Sequence, residues 1–192
     1  MRRYLDYSRT DIQVMTLREA VSRRPGMYFG EYQQPDWPLV MAAWTAHEML
    51  DYLVPPRRQA TVTLHGNGDL SASVARARIE RPATAQQLPI DHIIRRRMWW
   101  HELARSTTIA VGQAGTDTAE PEHVDDRLVW SDLAIEVRLE LDAQLIGIGP
   151  ELWWQDGPAR LQHIFGSPHF HLAADDQLVI LDEATGTTLT VG

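Results

Sequence analysis

Residues 133–141 read LAIEVRLEL, and this alternation of apolar and charged side chains is the feature that most constrains the fold. Side chains on a β-strand point alternately to opposite faces, so one face of this strand is apolar and the other is charged. A strand of this kind is stable with one face covered and the other in water. The chain is therefore expected to contain a sheet that other elements cover on one side.

The first covering element is a helix predicted over residues 16–24. Thr16 is a suitable N-cap, and Glu19 completes a capping box with it. Pro25 and Gly26 then end the helix, since proline and glycine together are a common stop signal.

A second helix is predicted over residues 38–54, and Pro55-Pro56 ends it. Two strands follow at 59–65 and 69–76. The connecting segment HGNGD, at 65–69, is typical of a tight turn, so the two strands are predicted to form a hairpin.

After the hairpin, from residue 77 onward, predicted loops alternate with predicted helices and strands. Residues 77–90 are predicted as a loop, 91–105 as a helix opened by Asp91, 106–112 as a strand and 113–126 as an exposed loop. The remaining elements are a helix at 157–165 and strands at 177–182 and 187–191. This order predicts an α+β fold in a single domain of residues 1–192, a two-layer sandwich with helices on one face of a mixed sheet.

The distribution of charge limits the partners that the chain can bind. All 18 basic residues are arginine, and the net charge of −8 is concentrated in residues 116–192. An acidic half argues against binding to nucleic acid.

No apolar run approaches the roughly 18 residues that span a bilayer. The start of the chain lacks an apolar secretory signal, so we expect a cytoplasmic bacterial protein that does not bind membranes.

Residues 11–32, DIQVMTLREAVSRRPGMYFGEY, carry a more specific signal. The segment resembles the opening of the ATPase domain of the gyrase B and topoisomerase IV family, most clearly at 24–28 and Gly30. Residues 60–73, ATVTLHGNGDLSAS, resemble the hairpin of the same domain. The resemblance implies the Bergerat-type sandwich of the GHKL superfamily, preceded by an N-terminal arm at residues 1–14.

The residues that bind and hydrolyse ATP in that family are not found at the matching positions. The family's general-base Glu aligns with Ala43, its magnesium-binding Asn with His47 and its adenine-binding Asp with Val74. The family's phosphate-binding loops are rich in glycine, but this chain has no glycine between residues 69 and 111. We therefore expect no catalytic residue, no ATP binding and no cofactor.

The histidines do not predict a metal site. His169 and His171 would share one face of a strand, with His163 upstream, but no carboxylate stands at a recognisable ligand spacing. His47 lacks a companion Glu. No bound metal is expected.

Two segments are candidate interfaces. Tyr7 and Ile12 align with arm residues that cross into the second subunit in the family, which implies a homodimer; the alternative is that Tyr7 packs on its own domain. The second candidate is an aromatic and basic patch made of Arg95, Arg96, Arg97, Trp99 and Trp100, since Trp and Arg are favoured at interfaces. Core packing beside a solvated charge run is the alternative for that patch.

These expectations lead to one main functional hypothesis. The chain would be a catalytically inactive, gyrase B-like domain that acts as a protein-binding or regulatory module, with a partner that the sequence does not identify. One alternative is a nucleotide-binding ATPase with a remodelled pocket. Another is a gyrase-directed decoy or regulator that imitates the arm.

Overall fold

A computed structural model describes residues 15–54, 58–84, 88–113, 120–170 and 172–192 of the chain. In these ranges, seven strands form one mixed sheet in the order β3-β5-β2-β1-β6-β7, with β4 paired to β5 beside β3. The strands are β1 Arg58–Leu64, β2 Leu70–Pro82, β3 Ala104–Gln113, β4 Glu122–Val124, β5 Arg127–Leu141, β6 Asp176–Asp182 and β7 Thr187–Val191.

Helices cover one face of this sheet. They are α1 Leu17–Arg23, α2 Gly26–Phe29, α3 Trp37–Asp51, α4 Ile90–Arg97, α5 Ala143–Ile146 and α6 Gly157–Phe165. Short 3₁₀ turns lie at Gln34–Asp36, Trp99–Leu103 and Pro150–Leu152. This confirms the predicted class, an α+β sandwich with helices on one face of a mixed sheet. None of the helices in the described ranges is long and apolar enough to cross a membrane.

The alternation in β5 has the predicted consequence. Leu133, Ile135 and Val137 are buried beneath the helices, whereas Ala134 and Glu136 between them are exposed. The pairing of β1 with β6 is parallel, and the other pairings are antiparallel. The sheet therefore has one face in the core and one face open to solvent.

Helix α1 begins with the predicted capping box. The Thr16 hydroxyl accepts a hydrogen bond from the backbone N–H of Glu19, and the Glu19 carboxylate accepts one from the backbone N–H of Thr16. Arg18 of the same helix donates to the carbonyl of Ala104 at 2.8 Å and forms an ion pair with Asp142. These bonds attach α1 to the start of β3 and to the end of β5.

The β1–β2 hairpin requires glycine at its turn. Gly68 has a φ of +89°, and a Cβ there would lie 2.7 Å from Pro150 and 3.1 Å from the ring of Trp153. The turn therefore packs directly against the segment that precedes α6, as glycine alone permits.

Three of the predicted boundaries were wrong. The predicted loop at 77–90 begins with strand, because β2 continues to Pro82 and pairs there with residues 127–130 of β5. The predicted loop at 113–126 contains β4. The predicted helix at 91–105 ends at Arg97 and is followed by a 3₁₀ turn, and β3 already begins at Ala104.

The start of that helix also differs from the prediction. Asp91 does not cap α4, since the N-cap is Pro89 and makes no side-chain cap hydrogen bond. Asp91 instead lies in the first turn, where its negative charge is favourable for the helix dipole.

Candidate functional site

Helix α3 is the central helix of the covered face. It packs on β1, β2 and α6, and nearly all of its residues are buried. Pro38 lies in its first turn, where a missing N–H costs no hydrogen bond. Any site that resembles the family's nucleotide site must use this helix.

The structure buries two of the three positions that the resemblance aligns with family ATP-binding residues. Ala43 is fully buried, and Val74 is 5% exposed, both within the hydrophobic core. His47 is half-buried on α3. One groove of about 900 Å³ includes Val74, but it lies on the open face of the sheet beside Thr61 and Ala134.

The segment that contains α4 and the following 3₁₀ turn packs directly on α3. The indole N–H of Trp100 donates to the Thr45 hydroxyl at 3.0 Å, and that hydroxyl donates to the carbonyl of Met41 at 2.7 Å. Met98 and Trp100 are buried in the same core as α3. Trp100 is therefore a core residue and does not belong to the exposed patch that the sequence predicted.

A charged cluster joins the C-terminal end of α3 to the end of α4. The guanidinium of Arg97 lies 2.6 Å from the carboxylate of Glu48 and 3.4 Å from that of Asp51, and it stacks over the ring of Tyr52. Burial raises the pKa of Glu48, although Tyr52 and Arg97 act in the opposite direction. Glu48 is one of the buried carboxylates that the sequence did not reveal, and its partner Arg97 lies on α4, which is distant in the chain.

The other two arginines of the predicted patch have different environments. Arg95 is partly buried and donates to the carbonyl of Thr107 at 2.8 Å, so it binds strand β3. Arg96 is exposed. Only a fraction of the patch is thus available to a partner.

A different set of side chains makes an exposed aromatic surface, which consists of Met27, Tyr28, Trp44 and Trp99. The ring centroid of Trp99 lies 5.5 Å from that of Tyr28 and 5.0 Å from that of Trp44. Trp99 is 37% exposed and Met27 is 72% exposed, whereas most large apolar side chains of the described residues are buried. Tyr28 and Trp44 were not predicted here, because they meet Trp99 only in the folded chain, and Met27 precedes Tyr28 in the sequence.

The remaining candidates are placed as follows. Tyr7 and Ile12 lie outside the described residues, so the arm exchange stays a prediction. Among the described residues, no group of three or more His, Asp or Glu side chains is arranged to hold a metal ion. His163 and His169 are exposed, and His171 is outside the described residues.

Comparison with known proteins supports the architecture. No protein-family model matches the chain, and no curated protein matches its sequence. Among solved structures, the chain is similar to the 43K ATPase domain of gyrase B from Thermus thermophilus, determined in complex with an aminocoumarin, with a TM-score of 0.53. The match covers 90% of this chain at 17% identity. The fold is that of the gyrase B-type ATPase domain.

The similarity extends over only part of the gyrase structure. The match covers 50% of the gyrase structure, so the chain spans about half the length of that protein. At 17% identity the likeness concerns the fold alone. ATPase activity and aminocoumarin binding are properties of the gyrase domain.

Proposed function

We propose that this chain is a non-enzymatic, protein-binding module built on the gyrase B-type fold. The observation that carries the proposal is Ala43, which is fully buried in the core at the position that the resemblance assigns to the general base. A methyl group cannot accept a proton from water, and a buried one borders no space for a nucleotide.

The packing around α3 supports the same proposal. A nucleotide of the family type would contact α3 and the segment that leads into α4. Here Trp100 bonds directly to Thr45, and Arg97 pairs with Glu48, so these two elements contact each other. Opening a nucleotide site between them would expose buried aromatic area and break both contacts.

The aromatic surface supports a role in binding protein. Trp99, Tyr28 and Trp44 form a connected group of partly exposed rings, and Met27, which precedes Tyr28 in the chain, is 72% exposed. Aromatic side chains and methionine are enriched at protein interfaces, and the aromatic side chains bury a large area with little loss of side-chain freedom. We propose this surface as the docking site of the partner protein.

Nucleotide binding is the decisive test. The purified chain is titrated with ATP and Mg²⁺ by calorimetry, and its melting temperature is measured with and without millimolar ATP. We expect no heat of binding and no change in melting temperature, because a ligand that binds the folded state must stabilise it. Binding of ATP, or phosphate release that a substitution in this chain abolishes, would refute the proposal.

A second candidate function is a nucleotide-binding ATPase with a remodelled pocket, and Glu48 is the observation in its favour. Glu48 is a buried carboxylate with a raised pKa on α3, five residues after Ala43. General bases often have shifted pKa values. Glu48 is already bound by Arg97, however, so an ATPase would have to release it. Phosphate release that is lost in Glu48→Gln would favour this candidate.

A further inference from the structure

In the ranges that the structure describes, strand β3 lies at one edge of the sheet over ten residues, with no further strand paired to its outer side. Its stretch at 106–112, STTIAVG, has no charged residue and no proline. Free edges of natural sheets are normally short, or are protected by charges, prolines or covering elements, because unpaired backbone groups accept further strands. The strand at the opposite edge, β7, is half as long. The β3 edge is therefore long, and over 106–112 it lacks the charges and prolines that protect other edges.

The hydrogen-bond pattern of the sheet shows which groups of β3 face this edge. The N–H of His65 donates to the carbonyl of Asp69, and bonded and non-bonded pairs alternate along the hairpin from that bond. By this alternation the backbone of Ala72 faces β5 and bonds with Val137. Ile109 lies opposite Val137 on the other side of β5. Since Val137 is already bonded to Ala72, the N–H and C=O of Ile109 point to the free edge.

Arg95 gives an independent confirmation of this orientation. Its guanidinium donates to the carbonyl of Thr107, two residues before Ile109. A carbonyl that accepts a side chain from α4 is directed away from β5. Residues two apart on a strand share their orientation, so the backbone groups of Thr107, Ile109 and Val111 all face outward.

The side chains of the same residues extend the core to the edge. Ile109 and Val111 lie opposite the buried residues Val137 and Ile135, on the helix-covered face, and they are themselves only half-buried. A strand added at this edge would cover their remaining exposed area. The edge thus offers apolar side chains and the outward backbone groups of Ile109 and Val111, whereas the carbonyl of Thr107 is already bonded by Arg95.

We propose that β3 pairs in antiparallel orientation with β3 of a second copy of this chain, around a two-fold axis at Ile109. In this register Ile109 faces its own counterpart, and Thr107 faces Val111 of the other copy. Ile109 and its counterpart form a bonded pair and exchange two backbone hydrogen bonds. The Thr107 carbonyl already accepts from Arg95, so it bonds Val111 of the other copy through its second lone pair. The two sheets become one continuous sheet across the axis.

The charge and symmetry of the edge favour a second copy as the occupant. The net charge of −8 on each chain opposes association, but the paired stretch at 106–112 is uncharged on both sides. The register is also self-complementary, because it places Ile109 against Ile109 and Thr108 against Ala110. One two-fold contact occupies the β3 edges of both copies, so the assembly closes as a dimer.

Two charge substitutions and their mixture test the proposal. Light scattering across a concentration series should give twice the 21.8 kDa chain mass for the unaltered protein. Ile109→Lys and Ile109→Glu should each be monomeric, because the axis brings identical charges together. A mixture of the two variants should restore the dimer by pairing Lys with Glu. Leu189→Lys is the matched control, since Leu189 is also half-buried but lies on β7 at the opposite edge.

Hydrogen exchange on the unaltered protein tests the same contact without a substitution. The amides of Thr107, Ile109 and Val111 should become protected as concentration rises, whereas those of Thr108 and Ala110 should be protected throughout. A protein that is monomeric at high micromolar concentration overturns the proposal. So does a dimer that survives Ile109→Lys, or one that is lost on removal of residues 1–12 but not in Ile109→Lys.

Discussion

The indole N–H of Trp100 lies 3.0 Å from the hydroxyl oxygen of Thr45 and donates a hydrogen bond to it. Trp100 comes after α4, and Thr45 is in the middle of α3, so this bond fixes the two elements to each other. Thr45 in turn donates to the carbonyl of Met41, which leaves its oxygen free to accept from Trp100.

Replacement of Trp100 should therefore be costly. Trp100→Phe keeps most of the packing but loses the hydrogen bond, and we expect a loss of about 1–2 kcal/mol in the free energy of unfolding. Trp100→Ala also creates a cavity and should lose about 3–5 kcal/mol. Urea denaturation measures both losses. Trp99→Ala is the control, because Trp99 is 37% exposed and should lose less than half as much as Trp100→Ala. Equal losses for the two tryptophans would contradict this assignment.

The burial of Ala43 gives a second prediction. Ala43→Glu restores the residue type that the family has at the aligned position, but here it places a carboxylate in the core without a partner. We expect a loss of about 3–5 kcal/mol in the free energy of unfolding and no gain of ATP binding. Ala159→Glu on α6 is the control, since Ala159 is exposed and the change should cost about 0.5 kcal/mol or less. If Ala43→Glu is as stable as the unaltered protein, an open site exists beside α3.

Glu48 and Asp142 predict opposite dependences of stability on pH. Burial raises the pKa of Glu48 in the folded protein above its pKa in the unfolded chain. The contribution of Glu48 to stability is therefore complete below the unfolded-state pKa and is lost as pH rises through the folded-state pKa. The hydrogen bond from Arg18 lowers the pKa of Asp142 in the folded protein. The contribution of Asp142 to stability is therefore present above its pKa in the unfolded chain and is lost as pH falls through its folded-state pKa.

Melting temperatures from pH 3 to 7 test these directions. The advantage of the unaltered protein over Glu48→Gln should shrink as pH rises, and its advantage over Asp142→Asn should grow. Each variant serves as the control for the other. Two advantages that change in the same direction with pH would contradict the assignment of the raised and lowered pKa values.

Arg18 should be needed to hold α1 in place. It donates to the carbonyls of Glu102 and Ala104 and pairs with Asp142, and a lysine cannot reach all three positions with one ammonium group. Arg18→Lys should cost about 1 kcal/mol and accelerate amide exchange throughout α1. Arg23→Lys on the same helix is the control, because Arg23 is exposed, and it should leave exchange unchanged.

The sequence predicted the local features of the fold better than its long-range contacts. The capping box at Thr16 and the alternation of β5 depend on neighbouring residues, and both are confirmed. The extension of β2 to Pro82 depends on pairing with β5, nearly 50 residues later, and no local pattern indicated it.

The same distinction applies to the candidate site. That Ala43 and Val74 stand in place of the family's ATP-binding residues stays a prediction from the sequence resemblance. The burial of Trp100 and Glu48 depends on contacts between α3 and the segment around α4, so periodicity alone could not separate Trp100 from Trp99. A helix was predicted through both tryptophans, but a 3₁₀ turn follows Met98, and it changes the direction in which each ring points.

The aromatic surface leads to the last prediction, which concerns the binding of a partner. Trp99 and Met27 contribute exposed apolar area but little to the core, so the double variant Trp99→Ala, Met27→Ala should fold normally. Loss of anchor residues at the centre of an interface typically costs about 2 kcal/mol or more in binding. Proteins retained from a native lysate by the unaltered chain should therefore be lost with the double variant. Leu152→Ala is the matched control, because Leu152 is 49% exposed elsewhere on the surface, and the retained proteins should remain. Retention of the same proteins by all three forms would show that the aromatic surface is not the docking site.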